Sequence, residues 1–141
     1  MSEIVVGYDG SEGSRTSLDK AIELAKNLGD TVTVVFGYAP PGIYGGEIVD
    51  HAEAVKERGK KALEEAEHQA SAKGSDVEVK TALVAQHAAE GLIEAAEAGD
   101  CRMIVVGNKG GESPLKGALL GSVPYKLVHL SPVPVLVVPS G

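Results

Sequence analysis

Aromatic and sulfur-containing side chains are scarce in this sequence. Tryptophan is absent, and phenylalanine and cysteine occur once each. Because Cys101 is the only cysteine, an intrachain disulfide is excluded, and the chain is compatible with a reducing compartment. With so few aromatic residues, the core has to be built mainly from Ala, Val and Leu. That composition suits strands buried on both faces by helices.

Long apolar runs and positive charge are also lacking. No run approaches the roughly 18 residues of a membrane span, and the N-terminus shows no signal peptide. There are 13 Lys and Arg against 20 Asp and Glu, a formal net charge of −7. This balance argues against a nucleic-acid partner or an anionic membrane surface, but does not exclude a local anion site. We therefore expect a cytoplasmic protein without a membrane or nucleic-acid partner.

Short apolar runs alternate with amphipathic segments along the chain. The predicted strands cover residues 4–8, 31–38, 76–84, 103–106 and 133–138. Apolar residues at helical spacing predict helices that end at Gly29, Gly74 and Gly99. A last, short helix is predicted to start at Ser122 as its N-cap. This order predicts a single α/β domain over residues 1–141, a doubly wound five-stranded parallel sheet.

Three predicted strands end in polar or glycine-rich segments, at residues 7–11, 37–38 and 107–111. Open α/β sheets bind ligands at such ends, where the strand order reverses. The stretch 107–123 starts after a buried strand and ends at a helix start, where backbone amides favour an anion. Lys109, Lys116 and Ser122 would add charge and a hydroxyl. From the residues alone, a phosphate site and a solvent loop are equally good interpretations.

Residues 107–123 resemble the signature of ATP-binding universal stress proteins: Gly, two residues, Gly, nine residues, then Gly-Ser or Gly-Thr. Val-Val-Gly-Tyr-Asp-Gly-Ser at 5–11 and Pro-Val-Pro-Val-Leu-Val-Val at 132–138 are also typical of that family. The resemblance covers the whole chain. One departure is that ten residues separate Gly110 from Gly121, whereas nine separate Gly111 from Gly121. The register of the loop is therefore open between Gly110 and Gly111.

The resemblance implies an adenine nucleotide alpha hydrolase-like sheet with strand order 3-2-1-4-5. It also implies a role for each matching residue. Asp9 would contact the adenosine part, although it also suits a turn or a helix cap. The adenine and ribose would lie against the ends of the first, second and fourth strands, at Tyr8, Gly37, Val106 and Gly107. The phosphates would be held by Gly110 or Gly111, Gly121, Ser122 and Val123.

The implied function is a stress-response or signalling module that binds ATP, with or without Mg²⁺. AMP or cyclic AMP is an alternative ligand, because Asn108 and Gly-Ser-Val-Pro at 121–124 resemble the cyclic-nucleotide-binding branch. A slow ATPase and a scaffold without nucleotide are further alternatives. No catalytic residue is assigned, since no positioned base or activated nucleophile is evident. No metal ligand is assigned either, because the four histidines lack metal-ligand spacing.

The last predicted strand, 133–138, is apolar without alternation. An uncovered apolar edge invites association, so we expect a homodimer formed through this strand. The alternative is an interior strand or one that its own helices shield. The sequence does not identify a further protein partner.

Overall fold

A computed structural model describes residues 2–39, 46–108 and 120–140, and only the backbone at 46–52. Strands and helices alternate along these residues, as the apolar pattern predicts. The strands are β1 (Glu3–Gly7), β2 (Thr31–Gly37), β3 (Val79–Val84), β4 (Cys101–Gly107) and β5 (Val135–Val138). The helices are α1 (Glu12–Leu28), α2 (Gly46–Ala72), α3 (Ala88–Ala98) and α4 (Ser122–Leu130).

The five strands form one parallel sheet in the order β3-β2-β1-β4-β5. The predicted fold class and strand order are therefore confirmed. Successive side chains of a strand point to opposite faces, so both faces of β1 are apolar. Ile4 and Val6 pack in the layer under α1 and α2, whereas Val5 packs in the layer under α3 and α4. The core is thus two aliphatic layers, one on each side of the sheet.

The N-termini of α1 and α4 are capped differently. Ser11 caps α1, because its Oγ accepts a hydrogen bond from the Ser14 N–H at 3.3 Å. The prediction that Ser122 caps α4 is wrong: Gly121 is the N-cap, without a side-chain hydrogen bond. Ser122 is the first helical residue, which puts Pro124 at the third position. The Tyr125 N–H, which a cap at Ser122 would use, donates instead to the Gly121 carbonyl at 3.0 Å.

The long helix α2 lies close to the sheet at one glycine. A Cβ on Gly59 would come within 2.7 Å of side-chain atoms of both Phe36 and Leu83. These two residues lie near the carboxyl ends of β2 and β3, so the middle of α2 passes the sheet at that edge. Although α2 has 27 residues, no helix in the described segments is long and apolar enough to cross a membrane.

An ion pair between a buried aspartate and an exposed arginine stabilises the opposite, amino-terminal edge of the sheet. The Asp30 carboxylate, whose side chain is 1% exposed, accepts hydrogen bonds from the Arg102 guanidinium of β4. It also accepts one from the Ser2 N–H at 3.3 Å. The hydrogen bonds from Arg102 outweigh the effect of burial and hold the pKa of Asp30 below its ordinary value of 3.8. Asp30 therefore connects the start of β2 with β4 and with the residue that precedes β1.

We expect Asp30→Asn to lower the free energy of unfolding at neutral pH by about 1–2 kcal/mol, because it replaces charge-assisted hydrogen bonds with neutral ones. Since the folded pKa is lowered, this stabilisation is present above the unfolded pKa and is lost as pH falls through the folded pKa. Urea unfolding at neutral pH and near pH 3 would measure it. The difference in the free energy of unfolding between the wild type and Asp30→Asn should be smaller near pH 3 than at neutral pH. An equal difference at both pH values would contradict the stabilising role of the ionised Asp30. Glu23→Gln, which breaks an exposed pair with Lys20, is the control and should cost under about 0.5 kcal/mol.

Candidate functional site

A cavity of about 130 Å³ opens at the carboxyl ends of β1, β2 and β4. It lies where the strand order reverses: α1 and α2 cover one face of the sheet, and α3 and α4 cover the other. The crevice between the segments that follow β1 and β4 is the usual place for a ligand in such a sheet. The residues that line it are Gly7, Tyr8, Asp9, Ser11, Ser14, Val35, Phe36, Gly37, Ala88, Leu92, Val106, Gly107, Val123 and Pro124.

Asp9 supplies the carboxylate of this cleft. Its Oδ1 accepts a hydrogen bond from the Ser11 N–H at 2.9 Å, so the residue also shapes the turn before α1. Burial opposes ionisation, but hydrogen bonds from Ser11 and Ser14 overcome it and lower the pKa of Asp9. The carboxylate is therefore ionised at neutral pH. It can accept further hydrogen bonds from amino or hydroxyl groups of a ligand.

Gly37 presents backbone groups toward the cleft. Strand β1 stops pairing with β2 at Gly7 and Val35, and the Tyr8 N–H donates to the Val35 carbonyl at 3.0 Å. On the other side of β2, the Tyr38 N–H donates to Val84 at 3.0 Å. Because backbone groups alternate along a strand, the N–H and C=O of Gly37 face the space beyond the end of β1.

Two glycines let helices approach the cleft closely. A Cβ on Gly37 would lie 2.8 Å from the Ala88 Cα and from the Gln86 carbonyl, so only glycine allows α3 to start there. A Cβ on Gly107 would lie 3.3 Å from backbone atoms of Gly13 in α1. Packing thus requires glycine at position 37 and favours it at position 107.

Several cleft residues were not singled out by sequence reasoning. Ser11 and Ser14 are two of them, and the Ser14 Oγ donates to the Ser11 carbonyl at 2.9 Å at the edge of the cavity. Apolar walls come from Val35, Phe36, Ala88, Leu92 and Pro124. The topology could have identified these residues, because in a parallel sheet the helix after β3 starts at the same edge as the helix after β1.

Tyr8 lies between the cleft and the α1–α2 layer. Its side chain is 4% exposed and belongs to the core on that side of the sheet. The Tyr8 hydroxyl donates to the Gln69 Oε1 of α2 at 3.3 Å, and burial, together with the nearby Glu65 charge, raises the pKa of Tyr8. This anchoring makes Tyr8 a wall of the cleft, and its stacking on a base stays a prediction.

Hydrogen bonds bring the two ends of the glycine-rich stretch together. The Gly121 N–H donates to the Asn108 carbonyl at 2.9 Å, and the Asn108 N–H donates to Val138 at 3.2 Å. Val106, Gly107 and Val123 therefore lie around one cavity, while Gly121 and Ser122 flank it without lining it.

The predicted loop residues Gly110 and Gly111, with Lys109 and Lys116, lie outside the described residues. The choice of loop register thus stays a prediction. Over the part of the chain that is described, no group of three His, Cys, Asp or Glu side chains is placed to hold a metal ion.

Comparison with known proteins places these features in a family. The family model described as "Universal stress protein family" matches residues 1–139. Universal stress protein YxiE of Bacillus subtilis (strain 168) is 33% identical, over 98% of this chain and 99% of that protein. A universal stress protein solved in complex with cAMP is 29% identical, with a TM-score of 0.70 and 99% and 98% of the two chains covered. Universal stress protein UspA from Lactobacillus plantarum is 21% identical, with a TM-score of 0.81 and 97% of each chain covered. The chain belongs to the universal stress protein family.

Proposed function

We propose that this protein binds an adenine nucleotide in the cleft between β1 and β4 and acts as a regulatory module. The observation that carries the proposal is the combination of an apolar cavity at the switch point with the ionised Asp9 carboxylate at its edge. Membership of the family supports it, as does the 29% identical relative that was solved with cAMP.

The cleft offers a different kind of contact to each part of a nucleotide. The base would enter the apolar part, with the backbone of Gly37 at its edge, and the ribose would lie between Gly107 and Asp9. Asp9 would accept hydrogen bonds from the adenosine part. The phosphates would extend toward the start of α4 at Ser122 and Val123, where backbone N–H groups and the helix dipole favour negative charge.

ATP is the ligand that the loop signature favours, and Gly110 or Gly111 would then complete the phosphate site. We assign no protein ligand to Mg²⁺, which would enter with the triphosphate, since Mg²⁺ is commonly held by substrate phosphates and water. AMP or cyclic AMP is the second candidate. The relative in complex with cAMP favours it, as does the extra residue between Gly110 and Gly121.

We propose binding without efficient catalysis. Besides Tyr8, whose hydroxyl donates to Gln69, the polar side chains among the described residues that line the cavity are Asp9, Ser11 and Ser14. These three hydrogen-bond one another and the turn before α1. An efficient hydrolase needs a base placed to activate a nucleophile, and the lowered pKa of Asp9 makes it a weak base. ATP turnover should therefore be slow or absent.

Calorimetric titration of nucleotide-stripped protein with ATP, ADP, AMP and cyclic AMP, each with and without Mg²⁺, tests the proposal. We expect binding in the micromolar range for at least one of them. Affinity that falls as phosphates are removed would assign ATP, whereas a preference for AMP or cyclic AMP would assign the second candidate. Absence of heat and of any thermal shift with all four would overturn nucleotide binding.

Two matched variants on α4 test whether the nucleotide binds in this cavity, when their affinities are measured by the same titration. Val123 lines the cavity, so Val123→Phe should fill the apolar part and weaken binding about tenfold or more, about 1.4 kcal/mol or more. Val128 is 52% exposed on the same helix, so Val128→Phe should leave affinity unchanged. Thermal melting of both variants would check that the fold is retained.

We propose that the protein forms a homodimer through β5. This strand pairs with β4 on one side and is the last strand of the described sheet, so its other edge is open to a second copy. Beside it, α4 exposes Tyr125, Val128 and Leu130 at 58%, 52% and 61%. Apolar side chains next to an open strand edge favour association.

Light scattering coupled to size-exclusion chromatography would measure the mass in solution. We expect a dimer for the unmodified chain. A charge at the proposed interface, in Val128→Asp, should shift the mass toward the monomer, because a carboxylate buried at an interface is costly. The matched control is Leu28→Asp, at an exposed apolar residue on α1. A monomeric wild type would contradict the proposal.

A further inference from the structure

A second cavity adjoins the cleft on the side of α2. Its volume is about 630 Å³, and it shares Asp9, Ser11 and Phe36 with the nucleotide cleft. The two cavities therefore adjoin at the turn that precedes α1. One face of α2, including Arg58 and Lys61, forms the outer wall of the second cavity. We call it the flanking cavity.

The cationic side chains on and near α2 differ in their ion pairing. Lys60 pairs with Glu57 at 3.2 Å, and Lys73, just beyond the helix, pairs with Asp19 at 3.5 Å. Lys56, Arg58 and Lys61 form no ion pair with a carboxylate among the described side chains, although the chain has seven more acidic than basic residues. Of these three cations, Arg58 and Lys61 line the flanking cavity.

The backbone of α2 puts this pair level with the mouth of the cleft. Residues three apart are neighbours on a helix surface, so Arg58 and Lys61 project from the same face. Between them, Gly59 packs against Phe36 and Leu83 at the carboxyl edge of the sheet. Phe36 lines both cavities. The two cations and the cleft therefore lie at the same edge of the sheet.

Two carboxylates also line the flanking cavity, Asp9 and Glu65. The Asp9 carboxylate accepts the Ser11 N–H, at the junction with the cleft. Glu65 follows Lys61 by one helical turn, and its Oε2 lies 3.6 Å from where a Cβ on Gly10 would be. The positive end of the cavity is thus at Arg58 and Lys61. Glu65 would weaken, not create, attraction for an anion.

We propose that Arg58 and Lys61 form a second phosphate subsite, which selects adenosine ligands carrying phosphates on both sides of the ribose. The 5′-phosphate would lie toward α4, and a phosphate on the 2′- or 3′-hydroxyl would lie toward α2. A guanidinium offers two parallel donors to phosphate oxygens, and an ammonium adds a mobile point charge. This inference rests on the proposed adenine-nucleotide function of the adjoining cleft.

The test compares AMP with adenosine 2′,5′-bisphosphate and adenosine 3′,5′-bisphosphate by calorimetry on the full chain. At least one bisphosphate should bind about tenfold or more tightly than AMP. The double variant Arg58→Gln/Lys61→Gln should bring that affinity ratio close to one. Glu65→Gln should raise the ratio, because it removes a repulsive charge. Lys60→Gln is the matched control on the same helix and should leave the ratio unchanged.

The outcomes separate this inference from the function on which it rests. If no adenine nucleotide binds, the proposed function fails and the subsite fails with it. If AMP binds and neither bisphosphate binds more tightly, the cleft stands and the subsite is refuted. A bisphosphate advantage that persists in the double variant also refutes it, because the extra phosphate then lies elsewhere. Circular dichroism of each variant confirms that the comparison is made on folded protein.

Discussion

Two strands that are distant in sequence, β1 and β4, pair at the centre of the sheet, and the site depends on this pairing. Because β1 continues through α1 to one side and β4 continues to the other, the helices that follow diverge to opposite faces. A crevice is left between them at the carboxyl edge. The Asp30–Arg102 ion pair fastens the opposite edge, where β2 begins and β4 passes. Strand β4 therefore contributes both to the stability of the amino-terminal edge and to the geometry of the cleft at the carboxyl edge.

The cleft shows how an acidic protein can receive an anionic ligand. Much of its polarity comes from the backbone, from the groups of Gly37 beyond β1 and from the start of α4, and these carry no net charge. Asp9 is held ionised by its own turn, so it can accept hydrogen bonds from adenosine without needing a cationic partner. The Arg58–Lys61 pair is displaced to the flank. A net charge of −7 therefore argues against polyanions such as nucleic acids, but not against one small nucleotide.

The strand order and the two-layer core could be predicted because they depend on patterns repeated over many residues. Alternating apolar runs and helical periodicity identify the elements, and the family resemblance supplies their order. The position of the α4 cap was mispredicted because Ser122 was judged from its own preference, although the Tyr125 N–H that its side chain would cap is bonded to the Gly121 carbonyl. Ser14, Ala88 and Leu92 were missed for a different reason: they reach the cleft through the crossing of α1 and α3 over the sheet, which no local pattern encodes.

Glycines with two roles, in ligand contact and in helix packing, were also difficult to interpret from the sequence alone. Gly37 and Gly107 were assigned to the ligand, yet both also allow a helix start to approach the sheet. Conversely, the cations of α2 look alike in the sequence. Only their placement distinguishes Lys60, which is paired on the surface, from Arg58 and Lys61 at the cavity. Packing, more than composition, decides which residue is available to a ligand.

A two-dimensional ¹⁵N–¹H NMR titration of the labelled protein with AMP would show most directly whether an adenine nucleotide occupies the crevice between β1 and β4. We expect the largest amide shifts on residues from all the elements around the cleft, including Asp9, Gly37, Gly107 and Val123. Shifts confined to the outer surface of α1, α2 or β3, or no shifts at saturating AMP, would contradict this expectation.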